Sequence, residues 1–144
     1  MSVVVGVDGS AACLSAIRVA AQEAGFRRTN LIAVMAYSDG TVRDSTGQPV
    51  GTVIRGDERA QALISLRHVV STALGAGQAE RVQLQVVAGT AGRQILETAR
   101  EAGAQLIVLA TRGSVSLLLG TVSQYVLRRA PCPVLVVPPS APAG

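Results

Sequence analysis

Two short segments of this 144-residue chain place polar chemistry at the end of an apolar run. The first is Asp8-Gly9-Ser10, directly after the run at 3–7 (VVVGV). A carboxylate there can hold ribose hydroxyls or a Mg²⁺ ion, or it can simply close a turn. Ser10 stands where a helix begins, and its hydroxyl suits an N-cap. The second segment is Gly120-Thr121, at the start of a helical stretch. Free backbone N–H groups and the positive end of a helix dipole suit a phosphate, and Gly113 upstream lets a backbone approach a ligand closely. A turn glycine before an ordinary capped helix would carry the same letters.

Other chemistries lack their residues. All thirteen basic residues are Arg, so a GxxxxGK[ST] phosphate loop is impossible and no Lys steadies a transferring phosphoryl group. His68 is the only histidine and falls within a helical stretch, a poor place for a Ser–His dyad. Cys13 and Cys132 have no His or Cys at ligand spacing, which argues against zinc. Both read as reduced, small core residues. Glu97 and Glu101 beside Arg93 and Arg100 read as a solvated helix face. The expectation is therefore not an enzyme. An enzyme on a related nucleotide-binding fold would need a catalytic set that these residues do not supply.

The elements that must position these segments follow from periodicity. Leu14, Ile17, Ala21 and Ala24 fall at helical spacing, and Gly25 is expected to end that helix. Residues 31–36 (LIAVMA) form a second buried strand. Residues 37–56 are polar and read as the longest loop. Asp57 is an N-cap for a helix through Ala60, Leu63, Leu66, Val70 and Leu74. Residues 81–88 alternate, as an edge strand does. Thr90 caps a third helix closed by Gly103, and 106–110 (LIVLA) is a fully apolar strand. Thr121, with Gln124 three residues on, reads as a capping box for a fourth helix. Pro131 and Pro133 bracket Cys132 and introduce the last strand, 134–137. Residues 1–138 read as one domain and 139–144 as a flexible Pro/Ala-rich tail.

Alternation of this kind predicts an α/β fold: a doubly wound, five-stranded parallel sheet in the order 3-2-1-4-5 with helices on both faces. The chain then reverses direction between its first and fourth strands, and open α/β sheets bind ligands at that switch point. Asp8 to Ser10 and Ala110 to Thr121 are thus expected to face one crevice.

Composition bounds the partners. At 49% hydrophobic and 15% charged, the chain can fill a core. Phe26, Tyr37 and Tyr125 are its only aromatics, so nucleic-acid bases have almost nothing to stack on. The Arg residues behind the +4 charge are scattered and do not form a stripe. No apolar run approaches the roughly 18 residues of a membrane span. The start has no charged region ahead of its apolar stretch, so a cytoplasmic location is expected.

Three stretches, VVVGVDGS, GTAGRQILETAREAGAQLIVLATRG and LLLGTVSQYVLRRAPCPVLVV, together resemble the universal stress protein family along nearly the whole chain. The resemblance implies the same strand order and a cytoplasmic homodimer paired through the last strand, 134–137. It also implies an adenine-nucleotide (ATP) binding regulator or sensor in stress response. The ATP-binding branch carries G-x-x-G-x-x-x-x-x-x-x-x-x-G-(S/T) after the fourth strand. Here Ala110 stands at the first Gly, Gly113 at the second, and only six residues, Ser114 to Leu119, precede Gly120-Thr121. By the same resemblance Asp8 contacts ribose or a nucleotide-bound Mg²⁺, the backbone near Met35 and Ala36 borders adenine, and Val122 lines the pocket. Arg112 pairs with phosphate or points to solvent. The added Ala110 methyl and the short loop leave a second reading open: a dimeric member that binds no ATP and acts through protein partners.

Overall fold

A computed structural model describes residues 1–38, 40–52, 57–111 and 121–139. The elements in chain order are β1 (Ser2–Gly6), α1 (Ala12–Arg27), β2 (Asn30–Tyr37), β3 (Thr41–Arg43), β4 (Pro49–Thr52), α2 (Glu58–Leu74), α3 (Ala76–Ala79), β5 (Gln83–Ala88), α4 (Ala91–Glu101), β6 (Ala104–Ala110), α5 (Thr121–Arg129) and β7 (Val134–Val137). Five strands form one parallel sheet in the order β5-β2-β1-β6-β7. With the β3–β4 hairpin set aside, this is the expected third-second-first-fourth-fifth arrangement.

The apolar runs became the interior strands because both of their faces are covered. Every residue of β1 is buried, whereas edge strand β5 buries only Val86. Strand parity divides the core. Val3, Val5, Ala33 and Met35 face α1 and α2, with Ile17 and Leu66 wholly buried among them. Val4, Ile32, Val34 and Ile107 face α4 and α5.

Several local expectations need correcting. Gly25 does not end α1; the helix runs to Arg27 and stops at Arg28, a non-glycine residue with φ 52°. There Thr29 N–H donates to Ala24 O and Arg28 N–H to Gly25 O, the Schellman pattern. Residues 37–56 are not all loop. They contain the antiparallel hairpin β3–β4, whose turn is held by Asp44 Oδ1 accepting from Thr46 N and Gln48 N. Thr90 occupies the N-cap of α4, but its side chain makes no cap bond; its carbonyl accepts from Gln94 N. Asp57 does cap α2, accepting from Ala60 N at 3.0 Å. Thr121 is the first residue of α5, so the cap position before it lies outside the described residues.

Helix α5 sits close to α4 because Gly92 has no side chain. A Cβ there would lie 2.8 Å from Tyr125 Cδ1 and 3.2 Å from its Cγ. The ring itself is held under the Arg129 guanidinium, 4.0 Å from its centroid. Gly92→Ala is expected to cost about 1–3 kcal/mol, as overpacking does. Urea unfolding checks this, and an unchanged midpoint would mean that α5 can slide away freely.

Candidate functional site

A crevice of about 470 Å³ opens between β1 and β6, the adjacent strands from which the chain departs in opposite directions. Asp8 and Ser10 form one wall, Thr121 and Val122 another, and Ala91 and Ile95 of α4 a third. Gly6, Leu109 and Ala110 line the strand ends. A Cβ at Gly6 would lie 2.6 Å from Ile95 Cδ1 and 3.0 Å from Leu109 Cδ2, so a larger residue would push these side chains aside.

The turn after β1 is organised by Asp8. Its Oδ1 accepts from Ser10 N at 2.9 Å and from the Cys13 thiol at 3.0 Å. Gly9 adopts φ +82°, a conformation side chains resist, which folds the turn back over Met35 and Ser65. The Ser10 hydroxyl is not a helix cap. Ala11 holds the cap position without a side-chain bond, and Ser10 Oγ donates to Cys13 Sγ at 3.7 Å.

The structure therefore brings Asp8, Ser10, Ala110, Thr121 and Val122 to one cavity, with Gly9 shaping the turn. Met35 and Ala36 are not part of its wall. Strand parity turns Met35 into the core beneath α1 and α2. Arg112, Gly113 and Gly120 lie outside the described residues. Sequence reasoning missed Ala91, Ile95, Ser123 and Cys13, all of which line the crevice. Cys13 had a usable signal: it lies three residues after Ser10, one helical turn away. Ala91 and Ile95 had none, because only the crossover from β5 carries α4 to this place. His68 is exposed on α2, and the Arg93–Glu97 pair is a solvated contact at 3.2 Å. Among the described residues no cluster of three His, Cys, Asp or Glu could hold a metal.

Burial pushes the Cys13 thiol above its ordinary 9.0, and its hydrogen bond to the Asp8 carboxylate acts in the same direction. At neutral pH Cys13 is a neutral S–H donor. Because the folded value lies above the unfolded one, the stability it contributes is whole below about pH 9 and is lost as pH rises through the folded value. Unfolding midpoints should fall less steeply in Cys13→Ser than in the wild type as pH rises above about 9. Parallel curves would remove this thiol as the titrating group.

The sequence profile described as the universal stress protein family matches residues 1–138. The chain belongs to the universal stress protein family. A universal stress protein of Thermus aquaticus is 35% identical over 141 residues, covering 94% of this chain and 97% of the relative. One of Mycobacterium tuberculosis is 35% identical over 142 residues, covering 93% of this chain. The chain spans only 44% of that mycobacterial relative's length. Among solved structures, a universal stress protein in complex with cAMP superposes with a TM-score of 0.68 at 26% identity, covering 97% of this chain and 98% of the other. No helix among the described residues is long and apolar enough to cross a membrane.

Proposed function

We propose that this chain is an adenine-nucleotide-binding regulator or sensor of the stress response, with the crevice between β1 and β6 as its site. The observation that carries this reading is that Asp8 and Thr121 line one cavity at the switch point. Its volume of about 470 Å³ lies within the usual range for small-molecule sites. Asp8 suits ribose hydroxyls, and the start of α5 suits a phosphate. The structural neighbour bound to cAMP supports a nucleotide as the ligand class. ATP with Mg²⁺ is the form we assign, with Asp8 and the phosphates sharing the ion.

We expect binding rather than turnover, since the sequence holds no lysine to act on a phosphoryl group. We further propose a cytoplasmic homodimer paired through β7. Leu135 is 36% exposed on that edge strand, an apolar edge that a second copy would cover.

One observation favours a second reading. Ala110 lines the crevice and stands where the ATP-binding branch of the family carries its first Gly. On that reading the dimer acts through protein partners and binds no ATP. Calorimetric titration with Mg-ATP and with cAMP separates the two. Saturable binding at micromolar ligand supports the nucleotide reading, and no heat at millimolar ligand from folded protein supports the second.

A further inference from the structure

We infer that Cys13 is a positioning residue of the crevice: its thiol holds the Asp8 carboxylate in the orientation from which it meets a ribose hydroxyl. The inference rests on the nucleotide reading of the same site and deepens it.

Asp8 is exposed at the crevice mouth, whereas Cys13 is 3% exposed at its floor. An exposed carboxylate ordinarily samples several rotamers, and ordering it on ligand binding costs free energy. Here two donors converge on one oxygen. Ser10 N lies 2.9 Å and Cys13 Sγ 3.0 Å from Asp8 Oδ1. The sulfur also accepts, from Asp8 N at 3.4 Å and from Ser10 Oγ at 3.7 Å. Donor and acceptor roles thus close a small ring through Asp8, Ser10 and Cys13. Both groups on the ligand wall are tied to one buried atom.

Cys13 differs in this from the rest of its helix face. Ala16, Ile17 and Ala20 continue the same buried surface of α1 and are apolar. A residue there for packing alone would need no hydrogen bond. Cys13 stands at the first turn, where that surface reaches the crevice, and its side chain is the one that meets a charge. A neutral thiol is suited to this: it donates to a carboxylate without repelling it.

A double-mutant cycle on the full chain, read by titration with Mg-ATP and with cAMP, tests the inference. Cys13→Ala should weaken binding about five- to tenfold, less than the loss of a strong hydrogen bond to a charged group because a thiol is a weak donor. Cys13→Ser keeps a donor in place and should bind within about twofold of wild type. In an Asp8→Ala background, Cys13→Ala should add no further loss. Infrared spectroscopy of the unliganded protein supplies a readout independent of nucleotide. The Cys13 S–H stretch should lie at lower frequency in wild type than in Asp8→Ala and disappear in Cys13→Ala. Wild-type affinity in Cys13→Ala, or equal losses from Cys13→Ala with and without Asp8, overturns the inference. So does nucleotide binding by a wild type whose S–H band ignores Asp8, and this outcome leaves the nucleotide reading standing. No nucleotide binding by folded wild-type protein, with the Asp8-dependent band intact, overturns the nucleotide reading and the positioning role that rests on it.

Discussion

Replacing Ile107 with alanine is expected to lower the unfolding free energy by about 2–5 kcal/mol, a large share of the roughly 5–15 kcal/mol that stabilises an ordinary domain. Ile107 lies at the middle of β6 with 0% exposure and points toward α4 and α5. Two short helices cover that face, 11 and 9 residues long, against 16 and 17 for α1 and α2 on the other. Its cluster is correspondingly small. Leu96, Val126 and the strand side chains around Ile107 are held by few others, so a cavity beneath them has little to refill it. Collapse of α5 into the gap is resisted by the close approach of Tyr125 to Gly92.

The cost should therefore fall toward the upper part of the range. Ile107→Val, which removes one methylene, should cost about 0.5–1.5 kcal/mol. Denaturant unfolding measures both. Hydrogen exchange adds a local readout: amides of α5 should lose more protection than those of α1, since Val126 anchors α5 in the same cluster. A loss below about 1 kcal/mol for the alanine variant would show that this face repacks readily. The tight Gly92–Tyr125 contact could not then be limiting.

The sheet was legible because burial on two faces leaves a plain mark. VVVGV, LIAVMA and LIVLA have no polar alternation, and they became β1, β2 and β6, the three interior strands. Gln83 and Gln85 marked β5 as an edge for the converse reason. The β3–β4 hairpin was not legible, since strands of three and four residues show no period. Its turn did leave a trace in Asp44 and in Gly47, whose φ is +88°. Gly25 misled because a glycine permits a helix end without requiring one. Arg28 accepted the left-handed conformation instead, and two carbonyls of α1 were satisfied there.

The candidate site divides along the same line. Asp8, Ser10, Ala110, Thr121 and Val122 follow strand ends, so topology alone places them together. Ala91 and Ile95 reach the crevice only through the path of a crossover helix, which no local pattern encodes. The backbone near Met35 and Ala36 was assigned by family likeness; the Met35 side chain packs in the core beneath α1 and α2.

Replacing Asp8 with alanine should weaken adenine-nucleotide binding by about 1.5–3 kcal/mol, or roughly ten- to a hundredfold, the usual worth of a hydrogen bond to a charged group. Two effects contribute, and a second variant separates them. Asp8 Oδ1 accepts from Ser10 N, so alanine also releases the turn that carries the Ser10 wall. Asp8→Asn keeps an amide oxygen able to accept that bond while removing the negative charge. If Asp8 acts through charge toward ribose hydroxyls or a nucleotide-bound Mg²⁺, asparagine should lose nearly as much affinity as alanine. The affinity that remains should then no longer respond to Mg²⁺. If Asp8 acts only by shaping the turn, asparagine should bind like wild type and alanine alone should fail. Because Asp8 is exposed, neither change opens a cavity, but alanine loses the bonds from Ser10 N and the Cys13 thiol and should unfold at lower denaturant than asparagine. Full nucleotide affinity in the alanine variant would remove Asp8 from the site altogether. A ligand bound there would then have to be held by the start of α5 and the apolar wall formed by Ile95 and Leu109.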